Sequence, residues 1–73
     1  MTHDEALATA RALTGYAAAD FPVYEVVHYP DPTENFVVSF WRKEADKLAG
    51  EGPYTTVSFE AADPRGTATF LAG

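Results

Sequence analysis

Two histidines, two serines and a scatter of carboxylates are the side chains here that most readily do chemistry, and cysteine is absent. His3 falls near the start of the chain and His28 close to Tyr29, a separation that makes no recognisable metal-ligand pattern. His28 could serve as a general base. At the end of a strand it reads instead as a partly exposed hydrogen-bonding residue, and His3 reads the same way. Ser39 and Ser58 each sit within a strand pattern, without the sharp strand-to-helix turn that presents a nucleophile. Glu25 and Glu60 fall on one sheet face by parity. Like charges on neighbouring strands destabilise unless a cation lies between them, so these read as solvated carboxylates. Gly50, Glu51, Gly52 and Pro53 lack the lysine and following helix of a phosphate cradle and read as a turn. Arg42, Lys43 and Lys47 alternate with Glu44 and Asp46, so no concentrated positive patch forms. The expectation is a protein without catalytic residues, cofactor or metal.

The elements that position these groups follow from hydrophobic period. Leu7, Ala10, Leu13 and Ala17 recur at helical spacing, which predicts a helix from Thr2 to about Ala19. Thr2 with Glu5 three residues on forms a capping box. Gly15 is a natural stop, yet the alanines after Tyr16 extend the pattern to Ala19. The period then changes. Val23–Tyr29 reads as a first strand, closed by Pro30, Asp31 and Pro32, and Asn35–Arg42 as a second, hairpinned to it. Lys43–Pro53 reads as a loop or single helical turn docked through Leu48. Tyr54–Ala61 alternates as a third strand, and Thr67–Ala72, with Ala68, Phe70 and Ala72 inward, follows the Asp63–Gly66 turn as a fourth. The fold class is α+β: a single domain over residues 1–73, with one N-terminal helix on one face of a three- to four-stranded, mainly antiparallel sheet in the order α-β-β-β-β. Its core should hold Tyr24, Val26, Phe36, Val38, Phe40, Val57, Phe59 and Phe70.

One helix covers one face. Parity places Glu25, Val27, Tyr29, Val37, Trp41, Tyr54 and Glu60 on the other, with nothing in the sequence left to cover it. Tryptophan and tyrosine beside carboxylates have the make-up of a recognition surface, because the rings contribute large area with few rotamers to freeze. That surface suits either a foreign protein or a second copy in a homodimer or chaperone-like assembly. On the first reading Trp41→Ala abolishes a complex and leaves the monomer folded.

Composition limits the partners. A 73-residue chain buries only about 60% of its unfolded surface, so packing or oligomerisation must hold it without disulfides. The formal charge of −6, spread along the chain, repels nucleic acid and speeds encounter with a basic protein. No apolar run approaches the roughly 18 residues that span a bilayer, and His3, Asp4 and Glu5 stand where a signal peptide carries a basic segment. A cytoplasmic protein is expected, with neither membrane nor nucleic acid among its partners.

Leu48, Ala49, Gly50, Glu51, Gly52, Pro53 and Tyr54, running on to Val57 and then to Gly66, Thr67 and Ala68, resemble the small immunity proteins of bacterial polymorphic toxin systems, the YrhB-type domains among them. The Asp4, Glu5, Ala6, Leu7 start and the aromatic strand Phe36 to Trp41 fit the same pattern. It departs at Asn35 and Phe36, where that class often has Gly-Trp. The resemblance implies a cytoplasmic protein that blocks a toxin domain by occlusion, and it carries over no catalytic residue.

Overall fold

A computed structural model describes residues 1–72, and the side chains of residues 1–71. The chain forms a helix α1 (His3–Thr14), strands β1 (Val23–Tyr29) and β2 (Asn35–Trp41), a short helix α2 (Glu44–Leu48), β3 (Thr55–Glu60), a single turn α3 (Pro64–Thr67) and β4 (Thr69–Ala72). The strands make one antiparallel sheet in the order β1-β2-β3-β4. This is the α+β architecture that the alternating pattern implies. Ala72 of β4 was expected to face inward, but its side chain lies outside the described residues.

The start of α1 is set locally. The Thr2 hydroxyl accepts from the Glu5 amide at 3.1 Å, and the Glu5 carboxylate accepts from the Thr2 amide at 2.8 Å, so two orphan donors of the first turn are satisfied together. These hydrogen bonds from Thr2 hold the Glu5 carboxyl below its ordinary range. A depressed carboxyl pKa adds stability above the unfolded value and loses it as pH falls through the folded one, so the cap weakens on acidification. Thr2→Ala is expected to lower stability by about 1 kcal/mol, read as a lower urea midpoint at unchanged slope.

The helix stops at Thr14 and not near Ala19. Gly15 takes a left-handed conformation at φ 77° and donates to the Arg11 carbonyl at 2.8 Å, a close that a residue with a Cβ strains to adopt. Arg11 then fixes the exit. Its guanidinium donates to the carbonyls of Tyr16 and Phe21, at 3.0 and 3.1 Å, and draws residues 15–21 back toward the sheet. Ala17, the last residue of the expected stripe, is exposed.

Ala6 and Ala10 are fully buried against Phe36, Val38, Phe40, Val57 and Phe59, with Phe21 closing one end and Leu7 and Leu13 packed at the margin. Small residues on the helix let it approach a sheet face filled with large rings. Two expected core members are corrected. Tyr24 on β1 is 42% exposed, and Phe70 on β4 is similarly open. A helix about 10 Å wide spans roughly two strands at about 4.8 Å spacing, so the outer strands are left half covered.

Candidate functional site

Registry defines the reverse face of the sheet. Val23, Glu25, Val27 and Tyr29 stand opposite Trp41, Ser39, Val37 and Asn35, and those opposite Thr56, Ser58 and Glu60 where β3 pairs with β2. Thr69 and Leu71 complete it on β4. Six of the expected contact residues, Glu25, Val27, Tyr29, Val37, Trp41 and Glu60, therefore share this face.

Its two ends differ. At the end where β1 begins and β2 finishes, Trp41 is only 8% exposed, although it does not lie beneath α1. The 43–53 connection covers it: the indole N–H donates to the Glu51 carbonyl at 3.0 Å, and Lys47 Nζ lies 5.6 Å from the ring centroid. The expectation of an uncovered Trp41 is thus corrected, because a loop that looked unattached is anchored by this ring. Leu48, expected to dock that loop, points away and is 78% exposed. Val23, directly opposite Trp41, is buried with it.

Tyr54 is corrected too. It precedes β3, its amide donates to the Phe40 carbonyl at 2.8 Å, and its ring joins Phe21 at 5.0 Å and Tyr16 at 5.8 Å between centroids. Arg42 lies over the same ring at 4.5 Å. Strand parity fails there because attraction among aromatic rings and a guanidinium, worth about 1 kcal/mol each, outweighs the alternation of a residue outside the ladder. Tyr16, Arg42 and Tyr54, with Asp46 and Glu51, line an open groove of about 570 Å³ at this end of the molecule. Nothing in the sequence pairs Tyr16 with Thr55, yet their hydroxyls meet at 3.0 Å.

The far end of the reverse face is open. Tyr29 there is 53% exposed, and Val27 and Val37, opposite one another, are half-buried; Leu71, at the β4 edge of the Glu25–Ser39–Thr56 row, is 58% exposed. Between these apolar groups runs a band of hydroxyls, with Ser39 and Thr56 in contact at 2.9 Å. Glu25 pairs with Ser39 and Glu60 with Asn35, four residues apart along β2, or about 13 Å at the rise of a strand. The two carboxylates are too far apart to share a proton and stand as separate charges.

The reactive groups do not converge. His28 lies on the helix face, stacked on Phe36 at 4.6 Å, with Nε2 3.5 Å from Glu34, while Ser39 and Ser58 lie on the reverse face. His3 reaches the edge of the same Phe36 ring at 6.4 Å. That two histidines so distant in sequence flank one phenylalanine is a consequence of the helix position. Among the described residues no three His, Asp or Glu side chains are placed to hold a metal ion, and no helix is long and apolar enough to cross a membrane.

Fold and surface together define a small α+β protein whose sheet is covered by a helix on one side and only in part by a loop on the other. No family model, curated protein or solved structure matches the chain.

Proposed function

We propose that this protein is a non-catalytic binding module that occludes a basic partner, in the manner of an immunity protein on its toxin domain. The observation that carries the reading is the uncapped part of the reverse face, where Tyr29, Val27 and Val37 on one side and Leu71 at the β4 edge border a hydroxyl band flanked by Glu25 and Glu60. A face of this kind interleaves exposed apolar groups with hydroxyls and carboxylates, so both apolar area and hydrogen-bonding groups are presented to a partner, as in typical interfaces. The overall charge of −6 accelerates encounter with a cationic protein. The resemblance of the Leu48 to Tyr54 segment to toxin immunity proteins favours a toxin as that cation, and a cytoplasmic setting goes with it.

The product of the neighbouring reading frame is the probe with which to test this. Tyr29→Ala is expected to weaken its complex about tenfold, the effect of truncating an aromatic contact worth about 1.4 kcal/mol, with the urea midpoint unchanged. Added salt is expected to slow association. An affinity indifferent to Tyr29→Ala and to Val37→Asp would take this face out of the interface.

A further inference from the structure

A different part of the molecule, the free edge of β1, carries an inference of its own. Lys47 Nζ bonds the Tyr24 carbonyl at 3.3 Å, so that carbonyl faces away from β2. In an antiparallel ladder the bonding direction alternates, so the amides and carbonyls of Val26 and His28 face outward with it. Three donors and three acceptors thus line an edge strand of β-branched and aromatic residues, with no lysine, proline or bulge inside it to discourage pairing.

We propose that β1 pairs antiparallel with β1 of a second copy about a twofold axis at Val26, giving a dimer with a continuous eight-stranded sheet. The strand is symmetric about that residue in the features that matter. Pro22 and Pro30, which cannot donate, each lie four positions from Val26, so all seven residues of β1 pair and both prolines fall outside. Tyr24 then bonds His28 of the second copy, and Val26 bonds its own counterpart. A slip of two residues in either direction sets Pro30 opposite Tyr24 or Pro22 opposite His28 and loses a donor. A slip of one aims outward groups at residues already bonded to β2. Only one register remains.

Charge agrees with that register. Glu25 is the one carboxylate within β1, and it faces Val27 of the second copy and not another Glu25. Lys47 does not block the edge, because a carbonyl oxygen has two lone pairs and can accept from both the ammonium and an incoming amide. Two chains of charge −6 repel at long range, so salt strengthens this dimer while it weakens contact with a basic protein.

The chain has no cysteine, which allows a register-specific test. In the proposed pair Glu25 and Val27 form a non-hydrogen-bonded couple with Cα atoms about 4.5 Å apart, within disulfide reach. Glu25→Cys combined with Val27→Cys is expected to give a covalent dimer on mild oxidation, and each single variant to remain at the monomer mass of 7.9 kDa. Neither position is in the core, so the fold should persist. For the unsubstituted protein, hydrogen exchange at the Val26 and His28 amides is expected to slow as concentration and salt rise. A folded double variant that stays monomeric, single variants that cross-link equally well, or exchange at Val26 and His28 that ignores concentration would each overturn the proposal.

Discussion

Phe40→Ala is expected to remove about 3–5 kcal/mol of stability, a large share of what holds a domain of this size folded. Phe40 is fully buried near the C-terminal end of β2, in the core beneath α1, and its ring meets the edge of Tyr16 at 5.8 Å. The Arg11 guanidinium lies 5.3 Å from its centroid, so truncation also loosens the group that holds Tyr16 and Phe21 by their carbonyls. A domain of this size has a total stability of roughly 4–11 kcal/mol, of which the change removes between a quarter and all. The measurement is thermal unfolding followed by circular dichroism, with a drop in Tm of at least about 12 °C. Phe40→Leu keeps most of the volume and should cost about a third as much. A Tm unchanged by Phe40→Ala would mean that the helix does not rest on this ring.

The parts of this fold legible in the sequence are those with local causes. The capping box needs only Thr2 and Glu5, and the three strands from Val23 to Glu60 announce themselves by alternation and by β-branched residues. The end of α1 was not legible because Arg11 decides it from a distance, bonding carbonyls five and ten residues away that no local pattern couples to it. The alanines after Tyr16 favour a helix in isolation, but the aromatic contacts of Tyr16 and Phe21 with each other at 4.2 Å, and with Tyr54, require a turn there. Parity located Glu25, Val27, Tyr29, Val37 and Glu60 on the reverse face, since a strand residue has only two directions to choose between. It could not locate Tyr54, which lies outside the ladder, nor see that Trp41 would be capped. A bond from an indole N–H to a backbone carbonyl ten residues on leaves no trace in residue type.

That bond gives Trp41 a different role from the one its composition suggests, and a different expected result. Trp41→Ala should no longer be a clean test of partner contact. It is expected to cost about 3 kcal/mol and, before that, to release the 43–53 connection. No residue of α2 is buried, its N-terminus has no side-chain cap, and Leu48 is free, so the ring of Trp41, its bond to Glu51 and the Lys47 contact are the main ties. Trypsin reads this directly, because Lys43 and Lys47 lie in the connection and Arg11 lies in α1. Cleavage after Lys43 and Lys47 should rise about tenfold for each 1.4 kcal/mol of lost tethering, while Arg11, protected by global stability, is cut far more slowly. Trp41→Phe keeps an aromatic ring but loses the N–H and part of the indole's area, so it should cost less than Trp41→Ala and produce an intermediate cleavage rate. Equal acceleration at Arg11 and Lys47 would place Trp41 in the cooperative core, as one unit with Phe40. Selective acceleration in the connection would make the loop a separate lid on the sheet, and any loss of partner binding in Trp41→Ala would then report the lid's release, leaving Tyr29→Ala as the measure of contact.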